Sequence, residues 1–164
     1  MTVPRCELRP LDAANLSDLL AVAVAETDPL EVMPPVAGEP GWNEARRRAF
    51  RAFHLARSIE AEQPVETTYV VVVGERVVGA ARLEPVGRDV EIGLWLGRSH
   101  RGRDLGRTVL AELLTAARAT AARRVVASTT VANVAARRLL SDRGAVLSVH
   151  GDRVDAVLDL ARGR

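Results

Sequence analysis

The amino-acid sequence predicts a mixed α/β (α+β) fold: a central, mostly antiparallel twisted sheet of about seven strands flanked by about four helices. Three observations predict it. Apolar residues switch between strand-like runs and stripes at helical spacing along the 164 residues. Short turns at Gly74-Glu75, Gly87–Asp89 and Gly151-Asp152 join neighbouring strand-like runs as hairpins. A strand, a helix and a strand then follow one another between Val90 and Thr129. The full order is β-α-α-β-β-β-α-β-α-β-β, with antiparallel hairpins before the βαβ crossing, which differs from a doubly wound sheet.

Residues 5–9 read as a short strand. Asp12 can cap a helix over Ala13–Ala25, with Leu16, Leu19, Leu20, Ala23 and Val24 as its apolar residues. Residues 26–43 are rich in Pro and Gly and predict an irregular loop. Asn43 can cap a helix from Glu44 to about Glu62, with a stripe including Ala49, Phe50, Phe53 and Leu55. Thr68–Val73 is continuous and β-branched, as in a strand buried on both faces. Val77–Leu83 and Val90–Leu96 are the next strands. A helix from about Leu105 to Thr120 sets Val109, Leu110, Leu113, Leu114 and Ala117 on one face. Val125–Thr129 is a strand, and Asn133–Asp142 a helix stopped by Gly144. Val146–Val149 and Val154–Leu160 close the chain as a hairpin.

A chain of this length forms one domain, residues 1–164. Its 48% hydrophobic and 27% charged content is ordinary for a soluble protein, and 3% aromatics leaves Ala, Val and Leu to build the core. Every basic residue is arginine, which reads as a GC-rich, bacterial coding bias. A net charge of +2 argues against nucleic acid as a partner. The charge is uneven: residues 1–64 hold 7 arginines against 10 acids, and residues 65–164 hold 16 against 11. Cys6 is alone, and His54, His100 and His150 lie far apart, so no metal site is expected. His54 falls in an apolar helix, where a satisfied packing role is expected. The N-terminus has no signal-peptide core and no apolar run approaches membrane length, so a cytoplasmic location without membrane contact is expected.

Residues 91–107, EIGLWLGRSHRGRDLGR, carry the most functional information. An apolar strand runs through a turn into a loop that opens a helix. A helix N-terminus offers unpaired N–H groups and partial positive charge to an anion. Gly102 and Gly106 let the backbone approach closely. Arg98, Arg101, Arg103 and Arg107 add cations. A nucleotide or coenzyme A phosphate suits such a loop.

With this loop after the fourth strand, the element order resembles the GNAT superfamily of acyl-CoA-dependent N-acyltransferases. The family's loop motif falls on Arg101, Asp104 and Gly106. A second match is NVAARRLLSDRG, with Asn133, Ala136, Leu139 and Gly144. The EIGLWL strand and the Asn133 helix lean toward the ribosomal-protein-acetylase-like branch. The resemblance covers residues 66–160 as the acyl-CoA-binding core, with residues 1–65 as variable substrate-facing helices. It implies a sheet splayed between strands 4 and 5. It implies that Leu94, Trp95 and Leu96 pair by their backbone with the pantetheine arm. Backbone groups of Arg101, Gly102, Arg103, Asp104, Leu105, Gly106 and Arg107 would wrap the pyrophosphate, and Asn133 would bond near the thioester. The implied co-substrate is acetyl-CoA, the implied partner a small-molecule or peptide amine, and the implied assembly a homodimer formed through sheet edges.

Three positions depart from the family. Asp104 replaces a glycine: its carboxylate either repels a phosphate or turns away to cap the helix or pair with Arg101 or Arg107. The family's thiolate-protonating tyrosine position is Leu140, and a serine used in the related branch falls at Ala136. The fifth-strand position that sometimes holds a glutamate base is Ser128. Glu91 is therefore the first candidate base, with a solvated strand-end charge as the alternative, and Glu84 the second. In the 26–43 loop, Asp28, Met33 and Trp42 are candidate acceptor contacts. Its acids otherwise read as solvated, as do Arg46, Arg47, Arg48 and Arg51. Two functional classes stay open: an N-acetyltransferase, or a degenerate domain that binds acyl-CoA or a protein partner without turnover.

Overall fold

A computed structural model describes residues 5–102 and 104–160, so Arg103 lies outside the described residues. The strands are β1 (Cys6–Pro10), β2 (Thr67–Val73), β3 (Arg76–Val86), β4 (Asp89–Leu96), β5 (Arg124–Thr130), β6 (Val146–His150) and β7 (Arg153–Asp159). The α-helices are α1 (Ala13–Glu26), α2 (Pro29–Val32), α3 (Glu44–His54), α4 (Leu105–Arg118) and α5 (Val134–Asp142). One sheet orders the strands β1-β2-β3-β4-β5-β7-β6. All neighbours pair antiparallel except β4 and β5, which run parallel. The α+β architecture expected from the sequence is the one observed.

Local chemistry explains the helix starts. Asp12 Oδ1 accepts the Asn15 N–H at 2.8 Å, and Asn15 Oδ1 accepts the Asp12 N–H at 2.9 Å, a reciprocal capping box for α1. Asn43 Oδ1 accepts the Arg46 N–H at 2.9 Å at the start of α3. α3 is shorter than its stripe predicts. After His54 the chain widens into a π-helical turn over Leu55–Ile59, which ends before Glu60.

The sheet separates two apolar layers. On one face α4 buries Val109, Leu110, Leu113, Leu114 and Ala117 against Val71, Ala81, Leu83, Val90, Ile92, Val125 and Ala127. On the other, α1 and α3 bury Leu16, Leu19, Leu20, Ala23 and Phe50 against Val70, Val72 and Ala80. Alternation along β2 serves both layers, so Val70, Val71 and Val72 are all buried, as the β-branched run predicts.

The 26–43 loop is more structured than its composition suggests. Asp28 Oδ1 accepts the Leu30 N–H at 2.9 Å and Pro29 presets the first turn of α2, a fifth helix beside the four expected. Arg46, expected on a solvated face, is instead buried. Its guanidinium donates to the carbonyls of Val36 (2.8 Å), Gly38 (3.3 Å), Gly41 (2.6 Å) and Glu39. The loop's carbonyls have no strand or helix partner there, and one guanidinium has five N–H donors to offer. Arg47, Arg48 and Arg51 are exposed as expected.

His54 packs edge-on against Phe50 and Phe53, with ring centroids 4.6 and 5.2 Å away. Both its ring nitrogens are buried without a hydrogen-bond partner, so its packing role is not the satisfied one expected. Burial, aided by the nearby Arg57 charge, pushes its pKa down to about 4 from an ordinary 6.5. The folded state therefore holds the neutral ring. As pH falls below 6.5 the unfolded chain binds a proton first, and stability drains until about pH 4. The shift corresponds to roughly 3 kcal/mol. Urea unfolding of His54→Phe is expected to show an acid-induced loss between pH 7 and 4 smaller than the parent's by about that amount. Equal pH dependence in the two proteins would refute this origin.

Candidate active site

β4 and β5 pair at only two rows, Val90 with Val125 and Glu91 with Val126. Both strands continue, β4 to Leu96 and β5 to Thr130, without further pairing. Each has its own antiparallel partner on the far side: β3 follows β4 to Leu96, and β7 follows β5 along its whole length. A wedge-shaped opening results. Leu94, Trp95 and Leu96 lie along its β4 wall. Leu94 and Leu96 join the α4 layer, and Trp95 the α1 and α3 layer. The Leu96 carbonyl is already engaged, accepting Arg101 Nε at 2.8 Å.

From β4 the chain passes a 3₁₀ turn over Arg98–His100 and enters α4. Gly102 and Asp104 both take left-handed backbone, at φ 72° and 59°. Glycine adopts this at no steric cost; aspartate tolerates it. Asp104 thus holds a backbone conformation that glycine adopts without strain. It stands at the helix N-cap position, yet its side chain makes no capping bond. Nor does it pair with Arg101 or Arg107, so neither form of the expected turned-away carboxylate is observed. Arg101 is held by Glu31 at 2.7 Å and Arg107 by Asp142 at 3.4 Å. The first intrahelical bond runs from Thr108 N–H to the Asp104 carbonyl at 3.3 Å. The N–H groups of Leu105, Gly106 and Arg107 therefore have no intrahelical acceptor. Gly106 lies where a Cβ would meet Leu139 of α5 at 3.5 Å, an ordinary contact between the two helices.

The N-terminal segment braces this loop. Glu26 accepts the Ser99 N–H at 3.1 Å. Hydrogen bonding from Ser99 holds the Glu26 carboxyl below its usual range, with His100 and Arg101 adding to it. Glu31 holds Arg101 as above. These acids, expected to be solvated, connect the α1–α2 region to the loop before α4. Asp28 caps α2, and Met33 is buried in the α1 and α3 layer. Trp42 is half-buried: its Nε1 donates to the Thr27 carbonyl at 2.9 Å and its ring meets Phe50 edge-on. All three candidate acceptor contacts thus have structural roles in this segment, and of them Met33 is buried. Asn133 caps α5, its Oδ1 accepting the Ala136 N–H at 3.1 Å.

Glu91 and Glu84 share the sheet face that carries α1 and α3, and both belong to one ion network. Arg82 reaches Glu91 at 2.6 Å, Glu84 at 3.0 Å and Glu66 at 3.6 Å. Arg57 reaches Glu84 at 3.1 Å and Glu66 at 3.3 Å. Glu66 is buried, and its Oε2 lacks a hydrogen bond. Arg82 lies across Gly93, where any Cβ would stand 3.0 Å from its Nε. Among the described residues Glu84 spends both carboxylate oxygens on the arginines, whereas Glu91 spends only Oε1. Glu91 is thus braced and still has an oxygen to give. Arg82 and Glu66 escaped the sequence reading. The available signal was a lone arginine within the otherwise apolar VVGAARL run, at a position facing the same layer as Ala80.

The described residues contain no group of three or more His, Cys, Asp or Glu able to hold a metal, and no helix long and apolar enough to cross a membrane. The acetyltransferase (GNAT) domain family matches residues 5–146. A comparison with curated proteins returned no match. Among solved structures, the GNAT domain of S. lividans PAT superposes with a TM-score of 0.73 at 16% identity, covering 96% of this chain and 94% of that one. Spermidine N-acetyltransferase from Vibrio cholerae, in complex with CoA and spermine, gives 0.71 at 16% identity, covering 96% of each. RimL, a ribosomal-protein α-N-acetyltransferase in complex with coenzyme A, gives 0.68 at 20% identity, covering 97% and 95%. At these identities the likeness is one of fold.

An exposed carboxylate at the mouth of an anion loop repels a pyrophosphate by an amount that salt screens. Asp104→Gly keeps the left-handed turn and removes that charge. By calorimetric titration it is expected to bind coenzyme A roughly fivefold tighter than the parent at low salt, the gain shrinking as salt rises. Weaker binding by the variant would reverse this account of Asp104.

Proposed function

The chain belongs to the GNAT acetyltransferase family, and from that premise we propose that it is an acyl-CoA-dependent N-acyltransferase acting on a primary amine of a small molecule or peptide. The single observation that carries the reading is the parting of β4 and β5 beside a helix N-terminus whose first three N–H groups make no hydrogen bond among the described residues. These residues fit acetyl-CoA. Leu105, Gly106 and Arg107 offer N–H groups, with the helix dipole, to a pyrophosphate. Gly102 leaves open space where a side chain would stand. The β4 edge from Ile92 onward lies along a slot of extended shape.

Acetyl-CoA, when bound, supplies a thioester whose acyl group passes directly to an attacking amine nitrogen. This chain's part is to orient, to exclude water and to move protons. Glu91, held by Arg82 through one oxygen, takes the amine proton with the other, directly or through a water. Glu84, with both oxygens engaged, is the weaker candidate. No acid is needed at the positions of Leu140 and Ala136: a thiol with a pKa of about 8.5 leaves readily as thiolate and takes its proton from solvent. Leu140 instead packs against the α4 layer. The Glu91–Leu96 strand and the Asn133-capped helix support an assignment to the ribosomal-protein-acetylase-like branch. The open edge of β6, with Val146 and Val149 exposed, supports a homodimer as the assembly to look for.

The test has two steps. Titration of acetyl-CoA into the purified protein is expected to give a dissociation constant in the roughly 1 μM–1 mM range common for enzyme substrates. Thiol release is then followed over a panel of diamines, aminoglycosides and peptides with free N-termini. Release with at least one of them, lowered about a hundredfold in Glu91→Gln, is the expected result. Binding without release by any amine would favour the degenerate acyl-CoA-binding module, and absence of binding would end both readings.

A further inference from the structure

Behind the wall opposite Glu91, β7 carries a second braced carboxylate, Asp155, which reaches that wall through Ser128 of β5. In β5, Val125 and Ala127 enter the α4 layer, so Val126, Ser128 and Thr130 alternate onto the face shared with Glu91. The paired row Glu91–Val126 fixes the register where the strands part. Two residues further along each strand stand Gly93 and Ser128, on facing walls of the opening. Ser128 is paired in register with Asp155 of β7. Its Oγ donates to Asp155 Oδ1 at 2.8 Å, and Arg153 Nε donates to that same oxygen at 2.7 Å. A second Arg153 nitrogen reaches back to the Ser128 hydroxyl at 3.1 Å. Both donors converge on Oδ1. Among the described residues Oδ2 makes no hydrogen bond; His150 Nε2 stands 4.0 Å from it. Arg153 and Ser128 hold the carboxyl below its usual range, so it stays ionised at neutral pH.

Charge across the opening has a sign. Glu66, Glu84, Glu91 and Asp155 face Arg57, Arg82 and Arg153, which leaves one carboxylate in excess. Electrostatic complementarity then selects a cation over an acceptor bearing its own carboxylate. We propose that Asp155, oriented by Ser128 and Arg153, binds the positively charged part of the acceptor through Oδ2, across the opening from Glu91. This rests on the acyltransferase reading for the identity of the opening as the acceptor site. It makes Asp155 a determinant of acceptor affinity, and Ser128 and Arg153 the residues that position it.

The experiment compares the parent with Asp155→Asn and Ser128→Ala. Acetyl-CoA titration comes first, since Asp155 lies on the sheet face away from α4; an affinity within about twofold of the parent certifies a folded variant. The probes are 1,4-diaminobutane, butylamine and a tripeptide with a free N-terminus. For whichever amine is turned over, Asp155→Asn is expected to raise KM about tenfold or more with kcat within about threefold, and Ser128→Ala to move KM the same way by less. Binding of the same probes to the coenzyme A-saturated protein, followed by NMR, is expected to weaken in parallel. An unchanged KM in Asp155→Asn overturns the inference, as does failure of all three probes to bind the parent. Binding that is lost in Asp155→Asn, without thiol release by the parent, would sustain the inference and defeat the acyltransferase reading.

Discussion

Everything about this molecule turns on two strands that stop pairing. A parallel pair normally continues row by row, because each unpaired N–H and C=O must find another partner. Here pairing ends after Glu91 and Val126, while both strands run on. The opening persists because neither wall depends on the other. β4 is held by β3 through Leu96, and β5 by β7 through Thr130. Beneath them α4 packs Leu110, Leu113 and Leu114 in one layer with Val90, Ile92, Val125 and Ala127. A single helix thus ties both walls from below and delivers its N-terminus beside the gap.

The loop before α4 and the sheet face that carries Glu91 are joined to that opening by long-range polar contacts. Glu26 and Glu31, more than 60 residues away in the chain, hold Ser99 and Arg101. Arg57 and Arg82 knit Glu66, Glu84 and Glu91 across three elements. Exposed ion pairs taken singly contribute little to stability. Their effect here is orientation: they leave Glu91 one committed oxygen and one uncommitted one. Arginine suits these tasks because its planar fork carries five donors. Arg46 serves four loop carbonyls, and Arg137 reaches the Val131 carbonyl at 2.6 Å. An all-arginine composition, whatever its coding origin, gives this fold a supply of such braces.

The strands and four of the five α-helices were legible in the sequence for local reasons. The Val109, Leu110, Leu113, Leu114 and Ala117 stripe is a periodicity within one helix, and every one of these residues is buried. Asp12, Asn43 and Asn133 cap helices within three residues of themselves. Gly102 announces a left-handed turn by its identity. What stayed hidden depends on contacts between distant segments. No pattern in the 26–43 loop marks Arg46 as its buried anchor, because the carbonyls it serves are identified only once the loop has folded over α3. The aspartate at position 104 could not be read as uncapping its own helix, since the alternative partners Arg101 and Arg107 are adjacent in sequence and taken by Glu31 and Asp142 in space.

The sequence by itself determined the α+β class, the seven strands, four of the five α-helices and the buried stripe of α4. These follow from backbone propensity, apolar periodicity and capping, which act over a few residues. Only the tertiary structure decided which charges meet: Arg82 with Glu91, Glu31 with Arg101, Arg153 and Ser128 with Asp155. A charged side chain on a strand reads the same in sequence whether it faces water or a partner. The register and crossing of strands far apart in the chain choose between the two, and that choice gives this opening its chemistry.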